Sequence, residues 1–353
     1  MKYLSILLVL FALSGKLFAS ESMTFYPASN PDFAYMGRGD FSNPNHPKFW
    51  VPGAQIIFRF QGDSCILHLT DQHLYGHSFN IIQIIVDGNY VRLPLTKAQN
   101  AISVGTNLKN SIHTVILCKT TESNIGYLQF DGVSCHQLLL PPTLPTRKIE
   151  FIGNSITCGT GSDTTAVPCG KGTWYAQHNA YLSYGPLTAR ALDAQYHLTA
   201  YSGIGLMHSC CHIPFTMPQI FDKIDMMNDS LPWNFANYQP NVVTICLGQN
   251  DGVQDERSFC QAYVQFVKSL RAVYPHAQMV LLSSPMADST LSVFLKKSIK
   301  QVIAQLHERG DKKVAFYFFK KRYDSGCNAH PTLSQHQQMA DELSMFLKTL
   351  MHW

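Results

Sequence analysis

Four short stretches of the chain each place a chemically useful residue just after an apolar run. They are "FIGNSITCG" with Ser155, "AYSGIGL" with Gly203, "CLGQNDG" with Asn250 and "DSGCNAHPT" with His330. A serine hydroxyl becomes a nucleophile when a histidine removes its proton. Backbone N–H groups and an amide side chain can stabilise the oxyanion that such an attack creates. The set therefore indicates acyl transfer through a serine.

Each of these residues also has an ordinary structural explanation. Ser155 follows a strand, and serine is a favoured helix N-cap. Gly203 can serve only as a turn, Asn250 can form an Asx-turn before a glycine, and His330 is one of 15 histidines. The stretch around Ser155 is not the Gly-x-Ser-x-Gly elbow of the α/β-hydrolases, which disfavours that family. The order Ser, Gly, Asn, His, each at the end of a predicted strand, is what favours a catalytic site.

The second half of the chain supplies the elements that would position these residues. Its apolar strands alternate with amphipathic helices, which predicts a parallel sheet covered on both faces, an α/β/α domain. Ligands in such folds bind beyond the carboxyl ends of the strands, where all four stretches fall. The predicted strands are 148–153, 195–202, 241–248, 278–285 and 313–319, and the predicted helices are 179–192, 255–274, 289–308 and 333–351.

The first half has a different pattern. Residues 54–135 contain short runs rich in Ile, Val, Phe and Thr, separated by turn residues, which predicts a β-sandwich or jelly roll. Asp87-Gly88 between two of these runs predicts a tight hairpin. The proline-rich stretch 140–146 predicts a stiff linker. We therefore expect a jelly-roll domain over 21–145 and the α/β/α domain over 146–353.

The first 20 residues predict a secretory signal. Lys2 is followed by an apolar run and then by Ala19, a small residue at which cleavage can occur. An uncleaved anchor is the alternative. No other stretch is long enough to cross a membrane, so the mature protein is expected to be secreted or periplasmic, without membrane contact.

The composition narrows the class of partner and cofactor. Hydrophobic residues make up 46% of the chain and charged residues 14%, which fits a globular protein with a substantial core. The formal charge of +4 is scattered and forms no basic run, so no nucleic-acid partner is expected. No phosphate loop, dinucleotide fingerprint or metal-spaced cluster is present, so no cofactor is expected; His208 and His212 would need a helix that Pro214 disfavours. The oligomeric state is left open, with a monomer favoured.

Ten cysteines would meet an oxidising compartment after export. Three lie near the chemical motifs, Cys158, Cys169 and Cys327, and one pair among them can be bridged, although the sequence does not select it. A disulfide between the adjacent Cys210 and Cys211 is judged improbable. The cysteines in strand-like runs are expected to be buried as small hydrophobes, and they are Cys65, Cys118, Cys135 and Cys246.

Taken together, the four motifs resemble the SGNH hydrolase superfamily and, more narrowly, carbohydrate esterase family 2, which deacetylates plant-type polysaccharides. The first half adds "GRGDF", "VDG" and "LCKTTES", which are similar to the jelly roll of that family. The resemblance covers nearly the whole mature chain. It implies that "RGD" at 38–40 belongs to the entry of the jelly roll and is not an adhesion signal.

The resemblance also implies roles for the four residues. Ser155 would be the nucleophile and His330 the general base. The backbone N–H groups of Ser155 and Gly203 and the side chain of Asn250 would form the oxyanion hole. The reaction would remove O-acetyl groups from xylan- or glucomannan-type saccharides through an acetyl-enzyme, without a cofactor.

Two positions depart from the family pattern. Asn328 stands where an aspartate usually orients the histidine, and an uncharged amide cannot supply that charge. The side chain of Asn328 can still accept a hydrogen bond from the imidazole through its amide oxygen. We expect either the side chain of Asn328 or a backbone carbonyl, such as that of Asn328, to orient His330, and hold Asp324 as the less favoured alternative. Ala329 replaces an aromatic residue and implies a more open subsite. The residues that can stack on a sugar are Tyr201, Trp174 and Trp233.

Two other functions stay open on the sequence alone. One is a broader lipase or thioesterase activity at the same site, which would need an apolar acyl groove. The other is a catalytically weakened carbohydrate-binding protein, which the missing aspartate keeps open. The presence of Ser155, Gly203, Asn250 and His330 together argues against the second alternative.

Overall fold

The computed structural model describes residues 22–105 and 108–353. The predicted secretory signal, residues 1–20, lies outside the described residues. Among the residues that the structure describes, no helix combines the length and the apolar character needed to cross a bilayer.

The first half of the chain forms a β-sandwich of nine strands, as predicted. All pairings are antiparallel, and the main path of neighbouring strands runs β1-β9-β4-β8-β5-β6. The strands are β1 Thr24–Pro27, β2 Ala34–Met36, β3 Lys48–Phe49, β4 Gln55–Asp71, β5 Ile81–Val86, β6 Asn89–Pro94, β7 Gln99–Ser103, β8 Ser111–Lys119 and β9 Leu128–Leu139.

Strand β4 corrects one expectation, because two predicted strands are a single strand of 17 residues. Its first half pairs with β8 and its second half with β7 and β9. The register against β9 shifts between Gln61 and Cys65, and Gly62 in this stretch has a φ of 140°. The irregularity lets one long strand change partners along its length, as bulged strands do at the corners of sandwiches.

The predicted hairpin is confirmed. Strand β5 ends at Val86 and β6 begins at Asn89, and these two residues pair. Asp87 and Gly88 both have positive φ, 49° and 86°. A two-residue loop of this conformation matches the right-handed twist of the strands, and Asp-Gly adopts it at low cost.

The second half forms the predicted parallel sheet, with the order β11-β10-β14-β15-β16. Its strands are β10 Arg147–Gly153, β11 Ala194–Ala200, β14 Val242–Cys246, β15 Gln278–Leu282 and β16 Val314–Tyr317; a separate ribbon comprises β12 Lys223–Asp225 and β13 Ser230–Pro232. The helices are α1 Ser155–Cys158, α2 Tyr184–Ala191, α3 Met217–Ile220, α4 Glu256–Val273, α5 Ser289–Glu308 and α6 Leu333–Met351.

Four of these helices correspond to regions in which the sequence predicts a helix. Helices α5 and α6 have the predicted bounds, and α4 differs by one residue at each end. The predicted helix 179–192 is broken instead into a 3₁₀ turn, Ala180–Leu182, and α2. The break falls at Ser183, whose backbone is extended, while the Asn179 side chain accepts a hydrogen bond from the N–H of Leu182 and closes the first turn.

The two halves share a buried boundary. Arg38 of the first half forms a 2.6 Å ion pair with Glu150 of β10, and both side chains are fully buried. Glu150 also accepts hydrogen bonds from Thr199 and Tyr274. Because Arg38 is inside the protein, residues 38–40 cannot present an adhesion signal. Residues 140–146 form neither helix nor strand, and the division at 145/146 stays a prediction.

Candidate active site

Ser155 lies at the point where β10 passes into the short helix α1. The N-cap of this helix is Asn154, whose side-chain oxygen accepts from the N–H of Ile156 at 3.1 Å. Ser155 is the first helical residue, so the interpretation of Ser155 as the cap is wrong and its hydroxyl is left for other partners. Gly153 allows this tight junction, because a Cβ there would lie 2.1 Å from Thr157 Oγ1.

The hydroxyl of Ser155 faces His330. The distance from Ser155 Oγ to His330 Nε2 is 2.8 Å, although 175 residues separate them in sequence. The other ring nitrogen, Nδ1, lies 3.0 Å from the carbonyl oxygen of Asn328 and 3.3 Å from that of Cys327. A carbonyl can only accept, so Nδ1 carries the proton and Nε2 is free to accept from the serine.

Burial sets the protonation state of this histidine. Burial lowers the pKa of His330 below its ordinary value, because the charged imidazolium loses its hydration, and the carbonyls of Asn328 and Cys327 pull the pKa the other way without reversing the shift. His330 is therefore neutral at neutral pH, the form in which it can accept a proton.

The segment before His330 has an unusual backbone. Asn328 and Ala329 both have positive φ, 52° and 57°, which turns the carbonyl of Asn328 toward the imidazole. A disulfide joins Cys327 to Cys169, and the N–H of Cys327 donates to the carbonyl of Gly161 at 3.0 Å. This segment is thus fixed at its start.

Asp324, the alternative partner for His330, is engaged elsewhere. Its carboxylate lies 2.9 Å from Arg322 Nε in a partly exposed ion pair. Nδ1 of His330 donates instead to backbone carbonyls, those of Asn328 and Cys327.

The sheet register explains why the other motifs meet Ser155. Strand β10 lies between β11 and β14, and its last residue, Gly153, is level with the last residues of both neighbours. The segments that follow the three strands carry Ser155, Gly203 and Asn250. All three residues and His330 line one cleft of about 550 Å³.

Gly203 and Asn250 are both held in fixed orientations. Gly203 has a φ of 83°, and a Cβ there would lie 2.7 Å from Ile213 Cδ1 and 3.0 Å from Cys210 Sγ. Asn250 Nδ2 donates one of its two hydrogens to the carbonyl of Ile204 at 2.8 Å. This bond does not use the second hydrogen of the amide, which can donate to a ligand. Such preorganised donors suit the stabilisation of an oxyanion.

Two of the three candidate sugar platforms line the cleft. Trp174 is 52% exposed, and Tyr201 is largely buried with one edge in the cleft. The prediction for Trp233 is wrong, because Trp233 does not line this cleft and packs against His197 and Tyr238 in a different cavity. The connection from β11 to β14 must return to the amino ends of the strands, and Trp233 lies late in that connection.

The structure joins Cys210 to Cys211, so the expectation against a vicinal disulfide is wrong. Both residues line the cleft beside Gly203. Cys158 is free and buried on α1, and the four cysteines expected inside the protein are buried as predicted: Cys65, Cys118, Cys135 and Cys246.

Several lining residues carry no signal in the sequence. Asn124 comes from the first half of the chain, and no spacing rule connects it to Ser155. The ones that sequence reasoning missed are Asn124, Thr160, Ser202, Ile213, Gln249 and Met286. Within residues 22–105 and 108–353, no three His, Cys, Asp or Glu side chains are grouped so as to hold a metal ion.

Comparison with known families agrees with this architecture. Residues 151–342 match the GDSL-like lipase/acylhydrolase family, and residues 35–142 match the carbohydrate esterase 2 N-terminal family. The fold and the cleft thus define a GDSL-like acylhydrolase that carries an N-terminal β-sandwich. Within that class the chain belongs to carbohydrate esterase family 2, and it is a carboxylic ester hydrolase.

Three relatives illustrate the similarity. The cellulase/esterase CelE of Acetivibrio thermocellus is 32% identical over 335 residues, covering 92% of this chain but only 40% of the relative, so this chain spans less than half of that protein. An acetylxylan esterase / glucomannan deacetylase of Cellvibrio japonicus is 28% identical, with 92% and 91% covered. The structure of a family two carbohydrate esterase from Clostridium thermocellum in complex with cellohexaose is 31% identical with a TM-score of 0.83, covering 91% of this chain and 99% of that one.

Proposed function

We propose that this esterase removes O-acetyl groups from saccharides of the xylan or glucomannan type, with Ser155 as nucleophile and His330 as general base. The observation that carries the proposal is the 2.8 Å contact between Ser155 Oγ and His330 Nε2 in an open cleft. The names of two Cellvibrio japonicus relatives, acetylxylan esterase / glucomannan deacetylase, support the substrate class.

Acylation begins at the Ser155–His330 contact. Nε2 of His330 accepts the hydroxyl proton as Oγ attacks the acetyl carbonyl carbon, and the carbonyl oxygen becomes an oxyanion. The N–H groups of Ser155 and Gly203 and the Asn250 amide donate to this oxygen. Protonated His330 then gives its proton to the departing sugar oxygen, which leaves an acetyl ester on Ser155.

In deacylation Ser155 becomes the leaving group, and a water molecule takes its place as the nucleophile. This water gives a proton to Nε2 of His330 and attacks the acetyl-serine. The same donors stabilise the second oxyanion, and collapse releases acetate and restores the Ser155 hydroxyl. No metal or organic cofactor enters either step.

A catalytic dyad accounts for the missing aspartate. The Asn328 carbonyl holds the proton on Nδ1, which selects the tautomer that a general base needs. A carbonyl dipole does this without a full charge. The dyad proposal therefore assigns the orienting role to the backbone of Asn328 and none to Asp324.

The cleft supports a saccharide as the alcohol part of the substrate. The indole of Trp174 is half exposed at its edge, and Tyr201 lies beside Gly203. Aromatic faces pack well against the C–H groups of a sugar ring. Trp174 and Tyr201 are our proposed sugar contacts.

Acetate release from acetylated xylan, acetylated glucomannan and acetylated monosaccharides tests the substrate class. We expect release from at least one polysaccharide and little turnover of p-nitrophenyl esters longer than acetyl. A preference for long acyl esters would instead favour the broader lipase or thioesterase activity. Binding of these polysaccharides without any acetate release would favour a carbohydrate-binding protein.

We also infer that the protein is exported. The pattern of residues 2–19 is that of a secretory signal, and the Cys169–Cys327 disulfide needs an oxidising compartment. Expression with the native amino terminus, followed by sequencing of the mature amino terminus from outside the cytoplasm, checks this. Retention of residues 1–20 on the product would contradict it.

A further inference from the structure

A buried carboxylate from the first half of the chain lies beneath the cleft. Glu122 follows β8 and precedes a 3₁₀ turn, Ser123–Ile125, and its side chain is fully buried. The mechanism above gives it no role. A buried carboxylate lowers stability unless it is paired and hydrogen-bonded, so the partners of Glu122 decide whether it can be buried here.

Glu122 bonds to segments on both sides of the nucleophile. Its Oε2 accepts from the N–H of Ser202 at 2.7 Å, and its Oε1 accepts from Ser202 Oγ at 2.6 Å. Oε1 also accepts from Thr160 Oγ1 at 3.2 Å, and the two hydroxyls bond to each other at 2.8 Å. Ser202 directly precedes Gly203, and Thr160 follows α1, which begins with Ser155. The Glu122 side chain therefore holds the segment of Ser202 and the segment of Thr160 in fixed positions.

The carboxylate is ionised. Burial alone would raise the pKa of Glu122, but His178, whose Nδ1 lies 3.2 Å from Oε1, and the hydrogen bonds from Ser202 bring the pKa below its ordinary value. The side chain of Glu122 thus carries a negative charge beneath the cleft.

The charged and titratable groups around this carboxylate belong to both halves. Lys119 is fully buried and donates to the carbonyls of Thr121 and Glu122 at 2.8 and 3.0 Å, and burial lowers the pKa of Lys119 to about 7. The groups that interact with Glu122 are Lys119, Cys158, His178, Tyr201 and His330, with Asp71 beside Lys119 and His336 beside His330.

One of these interactions reaches the proposed general base. Burial has the largest effect on the pKa of His330 and lowers it; the carbonyls of Asn328 and Cys327 raise this pKa, His178 lowers it, and the negative charge of Glu122 raises it by the smallest amount. A charge of this sign favours the imidazolium that forms when Ser155 attacks. In serine hydrolases with a Ser-His-Asp triad the third residue supplies that charge, and here the loop of His330 offers only neutral carbonyls.

We propose that Glu122 is a positioning residue of the esterase, which fixes the N–H of Gly203 through Ser202 and the segment that follows α1 through Thr160. The inference rests on the roles proposed above for Ser155 and Gly203. It makes the β-sandwich a part of the catalytic apparatus, because the loop after β8 brings the carboxylate to the parallel sheet.

Glu122→Gln tests the charge with little change of shape. The amide oxygen can still accept from the N–H of Ser202, and the amide NH₂ can donate to the Ser202 hydroxyl. We expect kcat to fall severalfold with KM little changed, because a neutral amide holds the N–H of Ser202, and with it that of Gly203, less firmly than a carboxylate does. The acid limb of kcat/KM should move only slightly to lower pH, because the charge of Glu122 raises the pKa of His330 by the smallest amount.

Glu150→Gln is the matched control. Glu150 is also a fully buried carboxylate at the boundary of the two halves, paired with Arg38. This variant should lose stability and keep the wild-type kcat and pH profile. If Glu122→Gln behaves like it, with wild-type kcat for the folded fraction, Glu122 only connects the two halves and the proposal is overturned.

A second variant covers the case in which Glu122→Gln does not fold. Ser202→Ala removes one hydrogen bond to Oε1 and keeps the charge. We expect slower labelling of Ser155 by a fluorophosphonate, through a displaced Gly203 N–H, with no shift of the acid limb. Labelling at the wild-type rate would contradict the positioning role. Absence of labelling in the wild-type protein would instead refute the proposed nucleophile.

Discussion

At the scale of single residues, the reactivity that we propose for Ser155 depends on its neighbour Asn154, which caps the helix in its place. Asn154 closes the amino end of α1, so the serine hydroxyl is not consumed by capping and bonds to His330. The sequence pattern alone could not assign these two roles, because both residue types are favoured N-caps. The register of three parallel strands then supplies the remaining groups.

Asn250 gives the first prediction at this scale. Asn250→Ala removes one of the three proposed oxyanion donors, so kcat should fall about 10²- to 10³-fold while substrate affinity changes little. Steady-state kinetics on p-nitrophenyl acetate measures this, with the melting temperature as a check on folding. An unchanged kcat would show that the amide does not face the oxyanion.

His330 gives a prediction on pH. Only the neutral imidazole can accept the proton, and burial lowers the pKa of His330 from 6.5. Activity should therefore rise through a midpoint below pH 6.5 and stay flat above it. A profile of kcat/KM against pH checks this, and a midpoint above the ordinary histidine value would contradict the buried, carbonyl-oriented base.

At the scale of elements, we propose that the turn before α6 orients His330, as an acid does in other serine hydrolases. The left-handed conformations of Asn328 and Ala329 aim a carbonyl at Nδ1, and the disulfide at Cys327 anchors the turn. In this proposal the conformation of the backbone orients His330, and a sequence motif built on side chains does not reveal such a conformation.

Asp324→Asn tests this assignment. The change breaks only the partly exposed ion pair with Arg322, which is worth about 0–1 kcal/mol. We expect kcat within about twofold of the wild type, whereas loss of a true triad aspartate costs about 10⁴-fold in a serine protease. A loss of that size in a folded variant would move the orienting role to Asp324.

At the scale of the whole molecule, the two halves are joined by buried charge as well as by apolar packing. Arg38→Met would leave Glu150 buried without its cation, and breaking one partner of such a pair typically costs about 3–5 kcal/mol. Urea unfolding measures the loss. Arg322→Met is the matched control, because its ion pair is partly exposed and should cost about 1 kcal/mol or less. Equal losses in the two variants would contradict a role for Arg38 in joining the halves.

Much of this molecule was predictable because its signals are local. The alternation of strands and helices, the hairpin at Asp87-Gly88 and the bounds of α5 and α6 follow from patterns of a few residues. Local patterns failed where distant contacts decide the outcome. The irregularity in β4 and the destination of Trp233 depend on which strands become neighbours.

The difference between local patterns and distant contacts also explains which residues of the candidate site could be predicted. Ser155, Gly203, Asn250 and His330 could be picked out because each follows a strand of one sheet. Glu122 could not be picked out, because it lies 80 residues before Ser202 and belongs to the β-sandwich half of the chain. Contacts between the two halves are set by packing, and no periodicity of the sequence encodes them.

The measurement that tests the central claim most directly is acetate release from acetylated xylan and acetylated glucomannan by the wild-type protein and by Ser155→Ala. We predict release by the wild type and almost none by the variant, with equal melting temperatures. Acetate release by Ser155→Ala at the wild-type rate, or no release by the wild type from either polysaccharide, would contradict the account.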